Sequence, residues 1–331
     1  MDFDSRYSRR LWTVIVLSGI GAACAMAAAG LSFKWSSALP GLTILAFLLA
    51  LAWFYRRWRP EPRIASALDT FAQLMAFSAI GATLSYVAAT ADRPLWDAAF
   101  LSWDRALGLE WPAYLAFVNA RPWLAHCYAI AYNSIEFQMF VLLVVLPVSG
   151  LVRGANEFVM TFIITALLTI LVSALMPASD MYVTFAVRNG QDISNLMNTF
   201  VFAHLHDLNA LRAGTKDLNA LRAGTKHVID LGKMKGIVTF PSFYAALGLL
   251  FVGAFWRSRW LRWPGLLVNA IMIASAPIDG GHYFVDILAG MALAGMCITV
   301  VRRLPSQSAR HAPGVTPHLP FQRPLQSDTS F

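Results

Sequence analysis

The 331-residue chain is 57% hydrophobic and only 13% charged, whereas a soluble domain of this size carries about 25% charged residues. This composition excludes an ordinary soluble globular protein and indicates a polytopic membrane protein. The formal net charge is +8, an excess that we attribute to membrane topology and to contact with anionic headgroups. The sequence shows no basic helix with interleaved aromatic residues, so nucleic acid is not an expected partner.

Apolar runs of nearly 20 residues, enough to cross about 30 Å of hydrocarbon, recur along the chain. They predict an all-α, multi-pass transmembrane bundle with about eight spans. The predicted domains are an N-terminal pair of spans (1–60), a membrane core (61–304) with an outer loop (178–236), and a disordered cytoplasmic tail (305–331). The predicted spans are residues 11–31, 38–55, 64–89, 123–148, 158–176, 237–256, 263–276 and 282–301.

With eight spans, the arginines of the short loops all fall on one side of the membrane, which the positive-inside rule makes cytoplasmic. Both termini are then cytoplasmic, and the N-terminal ends of the sixth and eighth spans face outward. High Ala and Arg usage indicates a bacterial source, and hence a plasma (inner) membrane protein with a periplasmic site. These arginines are Arg6, Arg9, Arg10, Arg56, Arg57, Arg59, Arg63, Arg153, Arg257, Arg259, Arg262, Arg302 and Arg303.

Between the third and fourth spans, four apolar residues recur at helical spacing, and Asp97 and Asp104 lie off their face. The pattern predicts an amphipathic helix in the outer membrane interface. A loop helix packed against the bundle is an equally good interpretation. The apolar residues are Trp96, Phe100, Trp103 and Leu107.

The outer loop contains an exact repeat, in which residues 207–216 and 217–226 both read DLNALRAGTK. Two ten-residue copies are too short and too few for a solenoid, and loops tolerate insertions at low cost. The repeat indicates a recent tandem duplication, and the second copy is expected to keep its register with the next span.

Two segments, 239–246 and 280–290, carry polar groups at the point where a polar stretch gives way to an apolar run. In the second segment, His282 and Asp286 are four residues apart, so on a helix they would share one face. This spacing supplies a nucleophile or base with a carboxylate able to orient it.

Phe240-Pro241-Ser242 at the start of one span, followed about 40 residues later by Gly-His-Tyr-x-x-Asp, resembles the type-2 phosphatidic acid phosphatase superfamily. The closer similarity is to its inositol-phosphotransferase-like branch, which is related to inositol phosphorylceramide synthases. Residues 97–107 and 132–138 resemble that branch more loosely. The resemblance implies a six-helix phosphatase-type core preceded by two additional spans.

The resemblance also implies a mechanism that uses a lipid phosphate and no metal or cofactor. His282 would attack phosphorus and form a phosphohistidine, and Asp286 would hold its imidazole in the productive tautomer. Ser242 and Gly281 would contact the phosphate, Ser242 near the positive end of the sixth helix. Besides the lipid phosphate, membrane lipids are the expected partners, and the sequence does not give the oligomeric state.

The middle motif departs from the family pattern, because Tyr244 stands where the family has its general acid–base histidine. A phenol with a reference pKa of about 10 is poorly matched to proton transfer at neutral pH. Tyrosine could still donate a hydrogen bond to a phosphate oxygen. Two hypotheses follow, an active lipid-phosphate enzyme and a catalytically impaired relative that binds lipid phosphate or serves as a scaffold. The family's usual arginine six residues before the nucleophile is also missing, since Ala276 stands there.

Basic residues of the outer loop could hold a phosphate headgroup, and the best candidates by closeness to the motif are Arg222, Lys226 and Lys235. A solvated loop is the competing interpretation. His227 could replace the missing general acid, whereas the spacing of His204 and His206 does not indicate a metal site.

Within the fourth span, Asn133, Glu136 and Gln138 lie at membrane depth. An ionisable residue there suggests a function such as transport, but hydrogen bonding between helices is the favoured interpretation.

Overall fold

A computed structural model describes residues 2–185, 216–234 and 237–303. The tail predicted to be disordered (305–331), His204, His206, Lys235 and nearly all of the first repeat copy lie outside the described residues. Within the described ranges, the chain forms helices and one pair of two-residue parallel strands, β1 with β2.

The elements are α1 (Asp2–Ala28), β1 (Ser32–Phe33), α2 (Trp35–Arg57), α3 (Pro62–Ala89), α4 (Asp97–Ala106), α5 (Trp111–Asn119), α6 (Pro122–Tyr132), α7 (Ile135–Val148), α8 (Val152–Leu175), α9 (Met181–Val183), β2 (Val228–Ile229), α10 (Phe243–Phe255), α11 (Arg262–Asp279) and α12 (Phe284–Arg303). Residues 216–222 are also helical, and Leu231–Lys233 form a 3₁₀ turn.

The predicted class, an all-α multi-pass membrane bundle, is confirmed. Five described helices, α1, α2, α3, α8 and α12, are long and apolar enough to cross a membrane, and α6 with α7 forms a sixth, bent candidate. The remaining predicted spans correspond to α10, which has 13 residues, and to α11. Polar residues such as Asn269 and Asp279 lower the hydropathy of α11.

The bundle packs around α8, half of whose most apolar window is buried, whereas α1 and α2 bury much less of theirs. The main apolar core joins residues of α3, α7, α8 and α10, such as Phe77, Leu142, Ile163 and Phe251, all of which are fully buried. The N-terminal pair therefore lies at the edge of the bundle, where most of its surface can face lipid.

Asp69 of α3 fixes this N-terminal pair at the end of the bundle that carries the arginines. Its buried carboxylate accepts hydrogen bonds from Ser8 Oγ and from Trp12 Nε1 (3.1 Å), both on α1, and pairs with Arg56 of α2 (2.9 Å). Because one carboxylate serves two neighbouring helices, it sets how both pack against α3.

At the opposite end, the connection from α1 to α2 holds the end of the outer loop. Ser32 and Phe33 pair with Val228 and Ile229, and Lys34 forms an ion pair with Asp230 at 3.3 Å. These contacts follow directly after the second repeat copy. The outer loop and the α1–α2 connection thus lie at the same end of the molecule.

The α6–α7 pair bends by 46° at a two-residue break. Glu136, in the first turn of α7, is exposed, and it is Gln138 that joins the helices. Its Oε1 accepts a hydrogen bond from Asn269 Nδ2 of α11 at 2.7 Å. The expected bonding between helices is therefore present, but an amide rather than the carboxylate provides it.

We predict that Asp69→Ala destabilises the protein by about 1–3 kcal/mol, because it leaves the part-buried Ser8 hydroxyl and Trp12 indole N–H of α1 without their acceptor. Thermal unfolding in detergent measures the effect as a lower apparent Tm. Asp92→Asn is the control, since this exposed carboxylate pairs with Arg222 at the surface, where an ion pair contributes about 0–1 kcal/mol, and asparagine tolerates its φ of +42°. Equal melting temperatures for the two variants would contradict the role of Asp69.

Candidate active site

His282 and Asp286 come together at the N-terminal end of α12. His282 Nδ1 lies 3.3 Å from Asp286 Oδ2, and the same oxygen accepts the backbone N–H of Tyr283 at 3.0 Å. His282 is 5% exposed and Asp286 is fully buried. The predicted pair thus exists, although His282 lies in the turn before the helix rather than within it. Since Nδ1 faces the carboxylate, Nε2 is the ring nitrogen left for a substrate.

Ser242 links the other motif to the same helix. Its Oγ accepts the N–H of Ala245 at 3.3 Å, which caps the start of α10, and its own N–H donates to the carbonyl of Asp286 at 3.0 Å. Ser242 is fully buried. Its predicted contact with phosphate therefore stays a prediction, and its observed role is to hold α10 against α12.

Two glycines permit this close approach. A Cβ on Gly290 would lie 2.2 Å from the Ser242 carbonyl oxygen. Only glycine therefore lets α12 approach the start of α10 this closely. Gly281 has a φ of +64°, a conformation that favours glycine, and its carbonyl accepts the N–H of Met181 at 2.8 Å. The motif glycine beside His282 is thus a backbone requirement, and its predicted contact with substrate stays a prediction.

Tyr244, on the first turn of α10, stacks on Tyr132 with ring centroids 4.4 Å apart and ring planes 10° apart. Both rings lie close to His282. Tyr244 and His282 line one cavity, while the Tyr132 hydroxyl and His282 Cδ2 are 2.9 and 2.7 Å from the position of a Cβ on Gly280. Sequence reasoning did not single out Tyr132; its place at the start of the loosely similar stretch 132–138 was the available signal.

The cavity beside His282 is apolar and has a volume of about 320 Å³. Its walls come from α3, α8, α10 and the segment just before α10, and its polar groups are those of His282 and Tyr244 with a few hydroxyls of α3 and α8. Such a lining suits a hydrocarbon chain whose polar end reaches the histidine. The apolar and small residues are Phe77, Gly81, Ala82, Phe162, Ala166, Ile170, Met234, Ile237, Val238 and Phe243.

Helix α4 presents its aspartates to the site. Asp97 and Asp104 are buried together with Phe100, while Trp96 and Trp103 remain 37% and 43% exposed. Asp97 and Asp104, predicted to lie off the apolar face of this helix, therefore point into the bundle, where they accept hydrogen bonds. The Asp104 carboxylate accepts the N–H groups of Phe284 and Val285. Burial raises the pKa of this carboxyl, and those two N–H groups act in the opposite direction.

The predicted phosphate-binding cations have partners of their own. Arg222 pairs with Asp92 at 2.9 Å, and Lys226 pairs with Asp217 at 2.6 Å. The structure does not show either cation at His282, so their role stays a prediction. His227 is tied to β1 through its carbonyl, which accepts the N–H of Ser32.

Among the described residues, no group of three or more His, Cys, Asp or Glu side chains is placed to hold a metal ion.

These helices define an integral membrane protein, and its buried histidine–aspartate pair lies beside a largely apolar cavity. The chain belongs to the PAP2 superfamily, the type-2 phosphatidic acid phosphatases, since the family model matches residues 98–300. Membership supports a phosphatase-type function on lipid phosphates. The match begins inside α4, so α3, one wall of the cavity, precedes it. No curated protein and no solved structure matches the chain.

We predict that Gly290→Ala destabilises the protein by about 1–3 kcal/mol, because the added methyl group must displace the Ser242 carbonyl. The apparent Tm in detergent measures the loss. Gly295→Ala, on the same helix, is the control, since its Cβ would meet only Leu249 Cδ2 at 3.9 Å and alanine favours a helix. A Gly290→Ala variant as stable as the control would contradict the close approach.

Proposed function

We propose that this protein is a lipid-phosphate phosphatase or phosphotransferase that acts through a phosphohistidine. The contact of His282 Nδ1 with the buried Asp286 carboxylate at 3.3 Å carries the proposal. A carboxylate at Nδ1 favours the tautomer in which that nitrogen holds the proton, so Nε2 presents its lone pair. The proposal places the enzyme in the inositol-phosphotransferase-like branch and requires no metal or cofactor.

The proposed reaction has two displacements at phosphorus. In the first, Nε2 of His282 forms a bond to phosphorus while the bond to the lipid oxygen breaks, and that oxygen takes a proton. In the second, water or a polyol hydroxyl attacks phosphorus, the P–N bond breaks, and the attacking oxygen loses a proton. Asp286 stabilises the positive charge that the imidazole carries in between.

Proton transfer to the leaving oxygen is assigned to Tyr244, which lines the same cavity as His282. Its hydroxyl can donate a hydrogen bond to the lipid oxygen as negative charge develops there. Because a phenol is a weak acid at neutral pH, we expect a slower reaction than with histidine at this position.

The phosphate charge requires cations near His282, and Lys235 is the predicted cation nearest in the sequence to Ser242. Its assignment comes from the sequence, because Lys235 lies outside the residues that the structure describes. Arg222 and Lys226 would have to exchange their partners, Asp92 and Asp217, for the phosphate.

We also propose that the site faces outward. The arginines Arg56, Arg153 and Arg257 form ion pairs at one end of the bundle, while α12 begins with the site and ends at Arg302 and Arg303. The positive-inside rule makes the arginine end cytoplasmic, which supports cytoplasmic termini and a periplasmic active site in a bacterial inner membrane.

The second candidate function is a catalytically impaired relative that binds lipid phosphate or serves as a scaffold. The stacking of Tyr244 on Tyr132 favours it, because a ring held in this way fills the space of the missing histidine. In that case the cavity and the His282–Asp286 pair would bind the lipid without turnover.

We predict that the protein releases phosphate from lipid phosphates in detergent and that His282→Ala abolishes the release. Tyr244→His should raise the rate at neutral pH, since well-matched general acid catalysis contributes about 10²–10⁴-fold. Tyr244→Phe, which keeps the stacked ring and removes the hydroxyl, should lower the rate. Phosphate release and acid-labile phosphorylation of His282 are measured without divalent metal. Activity only in Tyr244→His would favour the impaired relative, and absence of phosphohistidine in every variant would overturn the mechanism.

We predict that Ala82→Trp, which narrows the cavity, raises KM for a long-chain lipid phosphate about tenfold or more with little change in kcat. A loss confined to binding is the signature of a chain-binding wall. Ala79→Trp is the matched control, because Ala79 lies on the same helix, is exposed and does not line the cavity. A water-soluble phosphate monoester should not distinguish the two variants. Equal KM values for the long-chain lipid would contradict this assignment.

A further inference from the structure

The position of His282 depends on the start of α12. His282 belongs to the short connection between α11, which ends at Asp279, and α12, which begins at Phe284. Its backbone N–H donates to the Ala276 carbonyl in the last turn of α11 at 3.4 Å, so the backbone is held from α11 while the ring depends on α12. Its ring reaches Asp286, in the first turn of α12, at 3.3 Å, which is long for a hydrogen bond. A small rotation of that turn would separate the two side chains.

The first turn of a helix has backbone N–H groups that no helical carbonyl accepts. In α12, a residue from a different helix accepts two of them. Asp104 Oδ2 accepts the N–H of Phe284 at 3.0 Å, and Asp104 Oδ1 accepts the N–H of Val285 at 2.8 Å. The two oxygens of one carboxylate thus fix both the position and the orientation of the turn that follows His282.

A second group of contacts ties α4 to both motifs. Asp97 Oδ1 accepts the hydroxyl of Tyr283 at 2.8 Å. The ring of Phe100, fully buried, lies 5.8 Å from the ring of Tyr283 and stacks 4.3 Å from that of Phe240. Helix α4 therefore contacts the residue after His282 and a residue next to Pro241, so any movement of α4 moves the site.

We propose that Asp104 is a positioning residue, which holds the first turn of α12 so that Asp286 stays within reach of His282 Nδ1. The inference rests on the proposed function of His282 as nucleophile. The charge of Asp104 also suits the positive end of the α12 dipole. Because the carboxylate contacts backbone groups and not the cavity, its removal should change the rate of phosphoryl transfer and leave lipid binding intact.

Two substitutions test the proposal at different severity. Asp104→Asn keeps the size of the side chain and one acceptor oxygen, whereas Asp104→Ala removes both acceptors. Ser102→Ala is the control, because Ser102 lies on the exposed face of α4 and its hydroxyl donates to the Ala99 carbonyl of its own helix. We expect kcat to fall about tenfold in Asp104→Asn and about 10²-fold in Asp104→Ala, since about 1 Å of misplacement can cost 10²-fold. KM should stay within about twofold of that of the unaltered protein, because Asp104 does not contact the cavity.

Hydrogen exchange measured by mass spectrometry supplies a readout that does not depend on activity. The amides of Phe284 and Val285 should exchange faster in both Asp104 variants, and the increase should be larger in Asp104→Ala than in Asp104→Asn. Their exchange rates should not change in Ser102→Ala. A higher KM with unchanged kcat, or faster exchange without loss of kcat, would overturn the positioning role. So would a loss of kcat with unchanged exchange at these two amides.

The two proposals can fail separately. If the unaltered protein transfers no phosphoryl group, the proposed function fails. Unchanged hydrogen exchange at Phe284 and Val285 in the Asp104 variants would then also overturn the proposal that Asp104 fixes the first turn of α12. If His282→Ala is inactive but both Asp104 variants keep full kcat, the proposed function stands and the positioning inference is wrong. Asp104→Asn is the variant to rely on if Asp104→Ala does not fold.

Discussion

The backbone at the start of α12 is the constraint on which the site depends. Asp104 accepts two of its N–H groups, Asp286 accepts a third, and the Asp286 carbonyl accepts the N–H of Ser242. Buried backbone donors are costly when they lack an acceptor. Satisfying them draws α4, α10 and α12 to one point. The nucleophile candidate is thus positioned by the same bonds that hold three helices together.

Charge is distributed unequally between the two ends of the bundle. Arginines pair with Asp69 and Glu157 at one end, while at the other end Asp97 and Asp104 are buried against backbone and hydroxyl donors. A buried carboxylate is tolerated only when its oxygens are hydrogen-bonded. At the site end, N–H and O–H groups supply hydrogen bonds to Asp97 Oδ1 and to both oxygens of Asp104, and the first turn of α12 supplies two of these donors.

The cavity places the polar site residues next to a mainly apolar surface. Its walls on α3 and α8 are mainly apolar, and both His282 and Tyr244 belong to its lining. This lining suits the proposed lipid substrate, with its hydrocarbon chain against the apolar residues and its phosphate at His282. The family match covers α8 and α10 but leaves out α3, so one wall of the cavity belongs to the part of the sequence that the family model does not describe.

The sequence by itself determined the class of fold, because apolar runs long enough to cross a membrane have few alternatives. It also determined the His282–Asp286 pair and the family, through local spacing and motifs. Only the tertiary structure decided which face of α4 is buried, since Asp97 and Asp104 find their donors on residues 82 to 186 positions away. It likewise decided that Gln138 rather than Glu136 joins two helices and that Tyr132 stacks on Tyr244. Periodicity places a polar residue on a face of its own helix, but the partner that satisfies it lies on another helix.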